Sequence, residues 1–126
     1  EDHYTAFEGA LANYGDELIG AFGLYSSATI GMMNAAKAND SKVPITSIDN
    51  DKVILEGIYN GDLLGSCCYS STAPAFWLMS SLVNKLNGLE IPSIYWYANM
   101  NVTKDNVVEA FEHYHNMTLE DYLANN

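Results

Sequence analysis

The sequence predicts an α/β domain built on a parallel sheet with flanking helices. Three observations predict it. Helical and strand-like segments alternate strictly along the 126 residues, the pattern of βαβ units. The strand-like segments are short and mostly apolar, as expected for strands covered on both faces. Each strand-to-helix junction is polar, with Ser, Thr, Asp or Asn where a helix cap belongs.

Tyr4, Phe7, Leu11 and Tyr14 recur at helical spacing, and Gly15-Asp16 ends that helix. Leu18–Leu24 (LIGAFGL) reads as the first strand. Ser26 or Ser27 caps a second helix through Ala28–Ala38, and Asn39-Asp40-Ser41 is a turn. Val43–Ile48 (VPITSI) is the second strand, with Pro44 near its start, where proline is tolerated. Asp49-Asn50-Asp51 opens a third helix that ends near Asn60-Gly61-Asp62. Leu63–Tyr69 (LLGSCCY) is the third strand. Pro74 suits the first turn of the next helix, whose apolar stripe is Phe76, Met79, Val83 and Leu86, with Gly88 just past its end. Ser93–Tyr97 (SIYWY) is aromatic and predicts a fourth strand. Thr103 and Asp105 cap a last helix bearing Val107, Ala110, Phe111 and Tyr114. Leu119, Tyr122 and Leu123 form a weak stripe in the tail.

Composition narrows the function. The formal net charge is −11, from 16 acids against 5 bases, and all five bases are lysine. Nucleic-acid binding needs clustered Lys/Arg to displace counterions, so it is excluded for this segment. Phosphate, polyanion and acidic-membrane partners are disfavoured for the same reason. A neutral polar ligand suits the field best. Cys67 and Cys68 are adjacent and point to opposite faces of a strand, which predicts two reduced, buried small hydrophobes and no mutual bridge.

Ligands of open α/β sheets bind outside the carboxyl ends of the strands. Three such ends are legible: Tyr25-Ser26-Ser27, Asp49-Asn50-Asp51 and Tyr69-Ser70-Ser71. They supply two aromatic rings, hydroxyls and a carboxylate, a set suited to a sugar-like ligand. The candidate ligand-binding residues are Asp49, Tyr25, Ser26, Tyr69 and Ser70. The competing explanation is local: each of the polar residues is also an ordinary N-cap type, and Asp49 has reason to stand before a helix merely to stabilise its dipole. No nucleophile elbow, phosphate loop or dinucleotide fingerprint occurs, and the acidic pairs have no partner acid or base for glycosidase chemistry. The expectation is a non-enzymatic protein with no catalytic residue, metal or cofactor. His113-x-His115, in the helix predicted there, sits about 200° apart and reads as two surface histidines.

These motifs together resemble the type I periplasmic sugar-binding proteins, the ribose/galactose-binding group whose fold is shared by the ligand domains of LacI-type repressors. The resemblance runs from about Phe7 to Val108. Ile19–Ala36 is similar to the family's strand and helix whose junction usually carries Asn-Asp. Ile45–Asp49 (ITSID) resembles the strand ending in the ligand-binding aspartate. Asn60-Gly61-Asp62-Leu63 resembles a helix-ending turn, and Ile91–Val107, closing on VTKDNV, resembles the return crossing between lobes. Departures are plain: Tyr25-Ser26 replaces the Asn-Asp pair, Ser47 stands for the usual glycine, and Tyr69 or Ser70 stands where a Gln is common. Asp49 alone is carried over intact.

The resemblance implies part of the C-terminal, Rossmann-like lobe: residues 1–92 as its α/β piece, and 93–126 as hinge crossover strand and C-terminal helical tail. It implies the sugar- or polyol-binding component of an ABC importer, partnered by the permease and working outside the cytoplasm, periplasmic or as a surface lipoprotein, its signal peptide lying outside this chain. The alternative is the effector-binding domain of a LacI-type repressor. A chain lacking half the cleft is expected to bind sugar weakly. It is also expected to associate with a second copy, by edge pairing or by exchange of the Ser93–Tyr97 strand and tail.

Overall fold

The computed structural model describes residues 2–125. Helix α1 (His3–Tyr14) opens on Asp2, whose carboxylate accepts from the Tyr4 N–H at 3.1 Å. It closes on Gly15, at φ +48°, in a conformation other side chains resist. A 3-10 turn (Gly15–Glu17) leads to β1 (Ala21–Gly23). Then follow α2 (Ser26–Ala38), β2 (Ile45–Ser47), α3 (Lys52–Asn60), β3 (Gly65–Cys68), α4 (Thr72–Leu86), β4 (Met100–Thr103), α5 (Val107–His115) and α6 (Leu119–Ala124). None of the described helices is long and apolar enough to cross a membrane.

The four strands lie in the order β1-β2-β3-β4. The first three are parallel, with Phe22 opposite Thr46 and Thr46 opposite Gly65. The fourth runs antiparallel to β3, with Ser66 opposite Val102. The sheet is therefore mixed, not wholly parallel. Ser93–Tyr97 is not the fourth strand. Its aromatic composition predicts a strand, but none of its residues pairs into the sheet. Tyr95 instead stacks on Trp77 of α4 with ring centroids 4.9 Å apart, and accepts from the Ser81 hydroxyl at 3.0 Å. The true strand, MNVT, is short and half polar: Val102 faces the core while Asn101 and Thr103 face out.

The β1–β2 and β2–β3 connections step in one direction across the sheet. Right-handed crossovers thus place α2 and α3 on one face. There α1 packs on α2, α3 on α2 and α5, and α6 on α5. Between these helices and the sheet lies one core including Met33, Ile45, Ile54, Leu55, Ile58, Val102, Val107 and Phe111. Residues before and after position 93 contribute to it jointly. Gly23 makes the tightest approach: a Cβ there would lie 2.0 Å from Thr29 Oγ1, so only glycine lets α2 seat on β1.

Two expected caps differ. The N-cap of α2 is Tyr25, without a side-chain bond, so neither Ser26 nor Ser27 caps it locally. The N-cap of α5 is Asn106, whose Oδ1 accepts from the Thr103 N–H at 2.8 Å, tightening the turn out of β4. The polar tail is ordered as α6, where Thr118 Oγ1 accepts from the Asp121 N–H at 3.0 Å and Leu119 is buried.

Candidate functional site at the carboxyl ends of the strands

The three strand ends meet around the Asp49 carboxylate. Asp49 follows β2, half-buried. Its Oδ2 accepts from the Ser26 N–H at 2.7 Å and from the Ser26 hydroxyl at 2.9 Å. Ser26 is the first residue of α2, so Asp49 caps the helix of the neighbouring βα unit, 23 residues back in the chain. It does not cap the helix it precedes: the N-cap of α3 is Asp51, with no side-chain bond. A carboxylate at a helix N-terminus satisfies free N–H groups and complements the helix dipole.

The Asp49 backbone is also held. Its N–H donates to Ser66 Oγ at 3.1 Å, and the same hydroxyl donates to the Asp49 carbonyl at 2.6 Å. The Cys68 thiol donates to that carbonyl at 3.1 Å. Below, the Thr29 hydroxyl gives its one hydrogen to the Tyr25 carbonyl at 3.1 Å and accepts from buried Ser47 at 2.8 Å. Ser47 thus has a structural use: it ties β2 to α2 beneath the site. Ser66 and Cys68 were not singled out from sequence, although strand alternation puts both on the inward face with Ser47.

Tyr69 joins the cluster from β3. The Asp49 charge pushes its hydroxyl above the ordinary phenol range, with a hydrogen bond to Asp49 and partial desolvation adding to the effect. Ser70 is half-buried beside it. Tyr25 leaves the cluster: its hydroxyl is hydrogen-bonded at 2.8 Å to His3 Nε2 on α1, and the two rings meet edge-on at 5.4 Å. The structure therefore joins Ser26 to Asp49, sets Tyr69 within reach of the Asp49 charge, and engages the Tyr25 hydroxyl with His3 instead.

His115 is not a free surface histidine. Its Nε2 lies 2.7 Å from the Asn50 carbonyl, and a carbonyl only accepts, so Nε2 carries the proton. The ring also packs on Phe111 at 4.8 Å. This bond fastens the loop carrying Asp49 to the end of α5. His113 is exposed. Among the described residues, no group of three or more His, Cys, Asp or Glu converges as a metal would require.

Cys67 and Cys68 are both free thiols. Burial pushes the Cys68 thiol up to about 11, and it is fully buried, whereas Cys67 is half-exposed. Since the thiolate is the nucleophile, the folded protein is expected to take up one iodoacetamide label near neutral pH, on Cys67, and a second only in denaturant. Mass spectrometry of the labelled chain checks this; two labels under native conditions would contradict it.

Two concavities, of about 560 and 550 Å³, lie at the opposite end of the sheet, around Lys42, Val43 and Pro44. The lysines there are already engaged: Lys37 pairs with Asp62 at 2.6 Å, Lys42 with Asp40 at 2.7 Å, and Lys104 donates to the Tyr59 carbonyl. Neither concavity includes Asp49. The position at the strands' carboxyl ends, not cavity size, singles out the Asp49 cluster.

No protein-family profile and no curated protein matches the chain. Solved structures do. An ABC transporter solute-binding protein from Agrobacterium vitis with bound α-D-tagatopyranose is 16% identical at a TM-score of 0.80, over 89% of this chain and 38% of its own. Another from the same organism, with bound allitol, is 14% identical at 0.78, over 89% of this chain and 40% of its own. An arabinose-binding protein from Geobacillus stearothermophilus is 22% identical at 0.65, over 90% and 41%. The chain spans about two fifths of the length of these structures. At such identities the likeness establishes the fold: this chain has the α/β fold of a lobe of these solute-binding proteins.

Proposed function

We propose that the chain is part of the C-terminal lobe of a sugar- or polyol-binding protein that serves an ABC importer outside the cytoplasm. In this reading residues 1–92 form the lobe piece and 93–126 the return crossing and tail. The ligand is a neutral polyhydroxylated molecule, and the permease is the protein partner. The role is binding, without catalysis.

The observation that carries the reading is the carboxylate of Asp49, fixed at the carboxyl end of β2 by Ser26 and flanked by Tyr69. A fixed carboxylate accepts charge-assisted hydrogen bonds from hydroxyls, roughly twice as strong as neutral ones. The Tyr69 and Ser70 hydroxyls add a donor and an acceptor, and the Tyr69 ring offers a face for C–H stacking. The net charge of −11 repels anions and leaves neutral ligands unaffected. Tyr25, bonded to His3, supports the rim from behind in this reading.

With one wall of a cleft present, affinity is expected in the millimolar range, about −4 kcal/mol. Titration of the isotope-labelled chain with a panel of pentoses, hexoses and polyols, followed by amide chemical shifts, tests this. Saturable shifts confined to Ser26, Asp49, Tyr69 and Ser70 are expected with at least one neutral sugar. Shifts centred on another surface, or a response only to anions, would overturn the reading.

A further inference from the structure

Helix α4 has no buried residue and makes no substantial contact with any other element. Phe76, Leu78, Met79, Leu82 and Leu86 on it are all more than half exposed. Its described ring and side-chain partners lie in α4 itself or in the segment that follows: Phe76 meets Trp77 edge-on, and Tyr95 folds back on Trp77 and Ser81. Helix and segment together form an arm, residues 72–97, that leaves the body after β3 and returns at β4. Trp96 on it is 87% exposed.

The body carries a matching bare surface. With α1, α2, α3, α5 and α6 gathered on one side of the sheet, its other face is uncovered. Phe22 and Leu24 share that face by strand alternation and are 57% and 67% exposed.

We propose that these two surfaces cover one another between two copies of the chain, the α4 arm of each lying on the bare sheet face of the other. The exposed arm and sheet residues amount to on the order of 1,000 Å² of apolar surface per copy, at about 150–250 Å² for each large aromatic side chain. That reaches the ~800 Å² per partner that a stable interface buries. Charge agrees. The arm holds only Lys85 and Glu90, which cancel, so the net −11 lies wholly on the body. The contact is thus free of charge conflict, while the two bodies repel at longer range, so salt is expected to tighten the pair. Exchange of an element is a symmetric, closed arrangement. It replaces exchange of Ser93–Tyr97 as a strand, and it holds whatever the Asp49 rim binds.

Light scattering on the intact chain tests it, with two exposed sites altered. The wild-type chain is expected at twice its 13.9 kDa mass, more so as salt rises. Phe22→Lys on the sheet and Leu82→Glu on the arm each remove an apolar contact and desolvate a charge, so each alone is expected to weaken the pair about a hundredfold. An equimolar mixture of the two variants is expected to recover the doubled mass, since one arm's glutamate then meets the other sheet's lysine while the remaining interface is unaltered. Leu78→Glu serves as a second arm variant, and circular dichroism checks each fold. A wild-type chain that stays monomeric overturns the proposal. Phe22→Lys leaving the pair intact overturns it in favour of arm-to-arm contact. A mixture that stays monomeric also overturns it.

Discussion

Asp49→Ala is expected to lower the unfolding free energy by about 2 kcal/mol. The loss has a specific origin. Removing the carboxylate leaves the Ser26 N–H and hydroxyl, bonded to it at 2.7 and 2.9 Å, without that acceptor at the start of α2. Hydrogen bonds to charged groups contribute more than neutral ones, and a cap of this kind is worth on the order of 1 kcal/mol or more. For a chain of this length that corresponds to a fall of about 7 °C in melting temperature. Asp49→Asn keeps an oxygen acceptor for Ser26 and is expected to recover most of the loss. Urea denaturation of the three proteins checks this. An unchanged midpoint for Asp49→Ala would mean that the contact with Ser26 is not made in solution.

Phe111→Ala is expected to cost more, about 3–5 kcal/mol, a large part of the roughly 5–15 kcal/mol that holds a domain together. Phe111 is fully buried, and its ring packs on His115 at 4.8 Å and on Tyr122 at 5.2 Å. It is where the C-terminal helices join the core. Its effect should reach the site, because His115 on the same helix holds the Asn50 carbonyl next to Asp49. Hydrogen exchange is expected to quicken in the Asp49–Asp51 loop of Phe111→Ala as well as in α5. A loss below 1 kcal/mol, or exchange confined to α5 and α6, would show that the tail is only loosely joined to the lobe.

Much of this organisation is legible in the sequence, for physical reasons. Helices announce themselves over long windows: the Tyr4, Phe7, Leu11 spacing, Pro74 in a first turn and Gly88 at φ +73° all correspond to structure. The parallel strands are shorter than their apolar runs, because pairing, not hydrophobicity, sets their ends. The fourth strand lies elsewhere than the sequence predicts because aromatic residues read as strand wherever they occur, whereas Tyr95 and Trp77 stack on each other outside any sheet. Met100–Thr103 is too short and polar to stand out, and becomes a strand only because β3 lies beside it. The site was legible in part. Strand ends before helices pointed to Ser26, Asp49 and Tyr69. That Asp49 caps α2 rather than α3, that Tyr25 turns to His3, and that Ser66 clasps Asp49 all depend on neighbours distant in sequence.

The carboxylate at the end of β2 fastens α2 and is the proposed polar anchor for a ligand. Asp49→Asn separates these uses, because the amide can still cap Ser26 but carries no charge. Paired titrations of the wild-type chain and Asp49→Asn with the neutral sugar that gives the largest response, followed by amide shifts, measure the difference. The variant is expected to be as folded as the wild type and to bind at least about tenfold more weakly. Equal affinity in the two proteins would contradict this and place the ligand elsewhere.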